Sequence, residues 1–477
     1  MGEVLRGDCT DLSLAISRGD VTCQEVMSAT LARIDAVNGR VNAIVSLRAH
    51  DALMQEAQAA DLALAAAQGS GESLGWLHGI PLAIKDTVET KGLCSTMGSP
   101  IYADYIPDRD AGLVRRMKAA GGIVIGKTNT PELGLGSHTY NPVHGATHNP
   151  YDLRLSAGGS SGGAAAALAT GMLSIADGSD VMGSLRNPAA WCNVYGFRPS
   201  WGRVPPEPGG DVYLHRLGTD GPMARSVRDI AKLLSILAAD EPCMPRPNWN
   251  GGQILDLISA PVAGRRVAWL GNWGGAYAME PGVENLISRE LGVFSGMGVA
   301  VEELAPVHPA TEIWEAWCDL RSFWMAAKLG PVYRERPDGF NAAAVWEIER
   351  GLKLTAMDVQ RASEARTRWL KRALNLFEDY DALILPSAQL FAFDVTWEWP
   401  RQIAGCLMDT YHRWMEVVVP ASLLGLPAIS VPVGFDGQGR AMGMQIIGAP
   451  GRDLDVLQLA EAWHGATGWP QKRPPKV

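Results

Sequence analysis

AGGSSGGAAAALATGMLSIADGSDVMGSLRNP, residues 157–188, carries the densest fold signal in this chain of 477 residues. Gly158–Gly163 is a Gly/Ser loop. It opens onto Ala164–Thr170, a run of strong helix formers that Gly171 stops. Ser174–Asp180 reads as a short strand, and Val181–Pro188 as a loop. Upstream the same rhythm recurs. Pro81–Ile84 and Gly122–Gly126 are strand-like, the latter through Ile123-Val124-Ile125, and Asp110–Ala120 between them is helical. Strand–helix–strand is the mark of an α/β protein.

Further out, residues 9–70 read as helices, with Thr22 and Glu25 spaced as a capping box. Ser226–Leu237, Pro281–Met297 and most of 310–380 are helical. Strands are expected at Arg266–Gly271, Ala382–Leu385, Ala428–Val433 and Met442–Ile447, and a closing helix at Asp453–Thr467. Residues 203–210 (RVPPEPGG) are a loop by their Pro and Gly content.

Composition narrows the function classes. Hydrophobic residues make up 47% and charged ones 19%, a globular balance. With 42 basic against 51 acidic residues the net charge is −9, and no Lys/Arg run stands out, so nucleic acid is not expected as a ligand. Seven scattered cysteines without a CxxC pair fit reduced thiols in a cytoplasm. No apolar run approaches the roughly 20 residues that span a bilayer, so no membrane segment is expected. Tryptophan is unusual, with 16 against 8 Phe, and many lie after position 300. Packing of long helices is one reading, and an aromatic wall over a pocket is the other.

Several motifs compete. Gly121–Thr128 (GGIVIGKT) matches a phosphate loop, but Ile-Val-Ile wants to pair in a sheet, which disfavours nucleotide binding. GGSSGG contains G-x-S-x-G twice, yet the segment before it is a weak strand for a nucleophile elbow; capping of the Ala helix by Ser160 or Ser161 is the plain alternative. Ser184 follows a strand with several consecutive N–H groups, the makings of an oxyanion hole or of an ordinary turn. Lys85 ends an apolar strand, where burial would turn it into a base, unless it snorkels or pairs with Asp86. His138, His144 and His148 lie close in sequence but lack the acidic partner of a zinc motif, so no metal is expected.

Together these stretches resemble the amidase signature family. The similar segments are GIPLAIKDTVETKG (79–92), GGIVIGKTNTPELGLGS (121–137), GATHNPYDLRLSAGGSSGGAAAALATG (145–171), IADGSDVMGSLRNPAAWCNVYGFRPSWGRVP (175–205), GPMARSVRD (221–229) and LLGLPAISVPVGFDGQGRAMGMQIIG (423–448). The resemblance implies a Ser–cis-Ser–Lys triad: Ser184 as nucleophile, Ser160 as bridging serine after a cis peptide, and Lys85 as base. It implies oxyanion donors in the N–H groups of Val181, Met182, Gly183 and Ser184, and supports in Ser161, Asp180 and Arg186. Gly134, Leu135, Gly136 and Ser137 match the segment that lines the substrate cleft. The family usually has Gly-Gly before the nucleophile. This chain has Met182-Gly183, and Met182 is expected to narrow the acyl site.

The implied fold is α/β, with a large mixed central sheet covered on both faces by helices. A single domain over 1–477 is expected, divided into N-terminal helices (1–70), a signature core (71–205), a helix-rich variable region shaping the pocket (206–380) and C-terminal strands with a helix (381–477). The implied function is a cofactor-free, cytoplasmic serine hydrolase, monomeric or homodimeric. It would cleave small-molecule amides through an acyl-enzyme, with aryl esters and carbamates (urethanes) as related substrates. Two alternatives stand beside it. One is a glutamine-hydrolysing amidotransferase subunit of a tRNA-charging complex. The other is an α/β-hydrolase using Ser160 or Ser161 with His215 or His412.

Overall fold

The computed structural model describes residues 7–70, 72, 74–207, 211–239 and 252–477. Cys243 and part of the 203–210 loop lie outside the described residues.

Strands β1 (Ile44–Val45), β2 (Pro81–Lys85) and β3 (Ile123–Thr128) form a small sheet in the order β1-β3-β2. β4 (His148–Asn149) and β5 (Asp152–Ser156) pair as a ribbon. The main sheet uses β6 (Ile175–Asp180), β7 (Tyr195–Arg198), β8 (Thr219–Ala224), β9 (Arg266–Trp269), β10 (Ala300–Glu303) and β11 (Ala382–Pro386). After a short hairpin, β12 (Gln402–Ile403) with β13 (Cys406–Leu407), the chain adds β14 (Ala428–Phe435) and β15 (Ala441–Ile447). The eight strands run in the order β10-β9-β11-β15-β14-β7-β8-β6. β10, β9 and β11 are parallel and the other pairings antiparallel, so the sheet is mixed, and helices flank it. β14 and β15 are buried along their whole length, as expected of near-continuous apolar strands covered on both faces.

The helix Gly162–Ala169 joins the two sheets, packing on β3 and β6. It is buried at Gly162–Leu168, and its small side chains permit the approach: a Cβ on Gly163 would stand 2.3 Å from the Asn129 nitrogen. The expected capping box at Thr22–Glu25 is present.

Gly121–Thr128 enters the sheet, as its Ile-Val-Ile run implied: Gly126-Lys127-Thr128 continue β3 and their backbone belongs to it. Two expectations need correction. Val181–Pro188 is only partly a loop: the helix Arg186–Trp191 begins within it, nucleated where Asp180 accepts from the N–H groups of Gly183 and Leu185. Pro281–Met297 is two helices, Val283–Glu290 and Gly292–Gly296. Among the described residues no helix is long and apolar enough to cross a membrane.

Candidate active site

Three segments converge where β2 meets β6: the end of β2, the Gly/Ser loop and the turn after β6. Lys85 is fully buried, and its Nζ donates to Ser160 Oγ at 2.8 Å, Ser161 Oγ at 2.9 Å and Ser179 Oγ at 2.9 Å. The Gly159–Ser160 peptide bond is cis. The Ser161 N–H donates to the Ser184 carbonyl at 3.2 Å, and the Gly159 N–H to Asn187 Oδ1 at 3.3 Å, so the two serine loops are stitched together. Gly158 has φ +79°, and a Cβ there would stand 2.7 Å from Asn187 Oδ1, so glycine is required. Ser160 and Ser184 are almost closed to solvent, 3% and 5% exposed.

Burial presses the Lys85 ammonium down to about 8, against the upward pull of Asp177, Asp220 and Asp180. At neutral pH a useful fraction is therefore the free amine. Three acceptors match the three hydrogens of an ammonium. The neutral amine has two hydrogens and a lone pair, so one hydroxyl must turn and donate. The Ser161 hydroxyl also faces the Ser179 carbonyl at 3.4 Å, which leaves Ser160 best placed to hand its proton to the lysine.

A fully buried lysine thus bonds a serine that follows a cis glycyl bond. The amidase family profile matches residues 25–457. The chain belongs to the amidase signature family. It is 33% identical to an acylamidase of Rhodococcus erythropolis, over 98% of this chain and 96% of that protein. It is 32% identical to a glutamyl-tRNA(Gln) amidotransferase subunit of Moorella thermoacetica, covering 97% of each. A solved bacterial aryl acylamidase superposes with a TM-score of 0.89 at 26% identity, covering 99% of both chains.

Within this amidase frame the supports of the turn that carries Ser184 are explicit. Asp180 accepts from Arg186 Nε at 3.0 Å and Nη2 at 3.0 Å, and from Arg198 Nη1. All three side chains are fully buried. Burial alone would raise the Asp180 carboxyl, but the two guanidiniums outweigh it and hold it well below the usual range. Arg186 also reaches Ser422 Oγ and Gln445 Oε1, both at 2.6 Å, which ties the nucleophile turn to β15.

This geometry changes two expected roles. The Gly183 N–H donates to Asp180 Oδ1 at 2.9 Å, so it shapes the turn, leaving the N–H groups of Val181, Met182 and Ser184 as oxyanion candidates. Ser161 does not cap the helix behind it; its hydroxyl touches Lys85 directly. Met182 avoids positive φ, which Gly183 takes at +78°, so a side chain is tolerated. That side chain is 3% exposed and belongs to the main core, which gives no support to its narrowing the acyl site.

A cleft of about 350 Å³ opens beside the cis bond. Leu135, Gly136 and Ser137 line it, with Tyr140, Trp346, Trp399, Tyr411 and Trp414 as aromatic walls. Ser137 joins cleft to triad, since a Cβ on Gly159 would stand 3.0 Å from the Ser137 carbonyl carbon. Gly134 is not among the lining residues; the nearest atom to a Cβ there would be Thr87 Cγ2. The walls are braced from behind: Glu347 accepts from Arg321 Nε at 2.6 Å, Ser322 Oγ at 2.6 Å and Tyr411 Oη at 2.9 Å.

The histidines go elsewhere. His138 contacts Ser156 Oγ and the Val395 carbonyl, and burial lowers it to about 4. His144 faces Thr96, and His148 the Leu153 carbonyl. His412 lies buried between Tyr411 and Trp314, and His215 packs on Phe323. His144, His148, His215 and His412 are engaged away from the serine loops, whereas His138 lines the cleft with its backbone against Gly159. Ser179 and Asp177 escaped the sequence reading. Their alternation along β6 was the available signal, since period 2 places both side chains on one face.

Proposed function

We propose that the protein is a serine hydrolase that cleaves amide C–N bonds through an acyl-enzyme on Ser184. The observation carrying this reading is the buried Lys85 Nζ held among the hydroxyls of Ser160, Ser161 and Ser179. Neutral Lys85 accepts the Ser160 proton while Ser160 accepts that of Ser184. The Ser184 oxygen bonds to the carbonyl carbon, and the oxyanion turns to the free N–H groups of the nucleophile turn. The relay returns the proton to the amine as the C–N bond breaks, and water then hydrolyses the acyl ester by the same path.

The cleft supports neutral, bulky or aromatic substrates. Its walls are aromatic. Arg401 is the one lysine or arginine among the described residues lining it, already bonded to Glu398 at 2.8 Å and stacked on Trp399, whereas Glu132, Glu398 and Asp409 are acidic. Such a rim repels a free carboxylate. Aryl acylamides fit this description, as the names of the relatives suggest, and aryl esters and carbamates present the same carbonyl. The second reading, a glutamine-hydrolysing component of a tRNA-charging amidotransferase, is favoured by the 32% identity to the Moorella thermoacetica protein. Among the described residues this cleft offers no free cation to receive the α-carboxylate of glutamine.

The test is to compare kcat/KM for a neutral anilide and for glutamine, in wild type and Ser184→Ala. The proposal expects anilide hydrolysis that Ser184→Ala abolishes. Glutaminase activity arising only on addition of partner subunits, with no anilide turnover, would overturn it.

A further inference from the structure

The small sheet presents its free edge, β2, to the main sheet. There the Lys85 backbone N–H donates to both oxygens of Asp177, at 3.2 and 3.3 Å. Asp177 sits on β6, is fully buried, and is not used by the proton relay. In the register of β2 and β3, Ile84 faces Lys127 and Lys85 faces Thr128. Lys85 and Lys127 therefore leave opposite faces of the small sheet, and Asp177 lies at its edge between them.

The charges around Lys85 are few enough to name. From β6 come Asp177 and Asp180, the latter neutralised by Arg186 and Arg198. From β8 comes Asp220, half-buried, opposite Ser179 in the ladder and in the field of Lys328 and Glu207. From β3 comes Lys127, which shares Asp86 and Asp177. Asp86 itself faces His144. Among the described residues, Asp177 is thus the fully buried carboxylate near Lys85 that no arginine neutralises.

We propose that Asp177 is a positioning residue that sets the pH at which Lys85 becomes a base, by holding its backbone and by stabilising its ammonium form. The inference rests on the triad reading above. Its electrostatics agree in both directions: Asp177 raises Lys85 against burial, while burial lifts Asp177 to about 6 and both lysines pull it back. Removing the carboxylate removes an attraction that favours the ammonium, so the free amine forms at lower pH.

The test reads the nucleophile without a substrate. Labelling by phenylmethanesulfonyl fluoride, whose sulfur bonds to the Ser184 oxygen as fluoride leaves to solvent and the serine proton passes to the relay, is followed by peptide mass spectrometry from pH 6 to 10. The labelling rate of wild type should rise through a midpoint near 8. Asp177→Asn should move that midpoint down by roughly 1 pH unit. Asp220→Asn should move it the same way by less, because solvent screens a half-buried carboxylate. Should Asp177→Asn fail to fold with Asp86 left as the main counter-charge of Lys127, the comparison is made between Lys127→Met and Lys127→Met/Asp177→Asn, where the double variant should have the lower midpoint. An even loss of rate at every pH, with the midpoint unmoved, is what a purely structural role gives and would overturn the inference alone. No Ser184 adduct in wild type, or labelling of Lys85→Ala at the wild-type rate, would bring down the triad reading together with it.

Discussion

Lys85 and Lys127 occupy neighbouring strands of the small sheet, both fully buried, and burial lowers each to about 8. Their surroundings differ completely. Lys85 meets three serine hydroxyls, one of which can pass on a proton. Lys127 meets the Val88 carbonyl and Thr90 Oγ1, which hold a cation and lead nowhere. A low pKa by itself therefore does not make a catalytic base. Burial favours the free amine in both places, and in the proposed mechanism only the hydroxyl relay on one face of the sheet turns it into chemistry.

The sharpest way to break this comparison is to delete each lysine. Lys85→Ala should lower kcat/KM on the order of 10²–10⁴-fold, the usual worth of a positioned base, with the fold retained by circular dichroism. Equal loss in Lys127→Met would erase the distinction. The next effect is the pH profile. Lys85 reacts as the free amine, so kcat/KM of the wild type should rise about tenfold per pH unit below a midpoint near 8 and flatten above it. A profile flat from pH 6 to 9 would remove the lysine from the rate. Ser179→Ala should cost about fivefold in kcat with little change in KM, because one of the two acceptors that aim the lone pair is lost, at the roughly 1 kcal/mol of a hydrogen bond. Loss in KM alone would mean that Ser179 touches substrate instead. The smallest change in activity is expected for Lys127→Met, within a few-fold. Its cost should fall on stability, roughly 3–5 kcal/mol by denaturant titration, since Asp86 and Asp177 would be left buried with one cation fewer.

Much of the site was legible because it is written in local, punctuated segments. Lys85 ends a strand, Ser160 lies within a glycine-rich loop and Ser184 follows a strand, and matching three such segments in order marked them as candidates without coordinates. The aromatic wall was half legible. Tryptophan abundance after 300 hinted at it, but Trp317 and Trp369 went into the core, Trp346 and Trp399 reached the cleft, and Trp414 is a core residue that also lines it. Composition does not separate these fates, which depend on how the helices Ala310–Glu335 and Ala342–Lys353 pack against Leu135.

The amino-acid sequence by itself determined the α/β alternation and the family and marked the candidate triad, because periodicity, glycine punctuation and motif order are local properties of the chain. The tertiary structure alone decided which hydroxyls surround Lys85, that the Gly183 N–H is committed to Asp180, that Lys127 belongs to a strand and that Asp177 reaches the edge of β2. Apart from the Gly183–Asp180 bond, which closes a local turn, each of these joins segments tens of residues apart. Each turns on which polar group of a buried strand end finds a partner once water has been excluded.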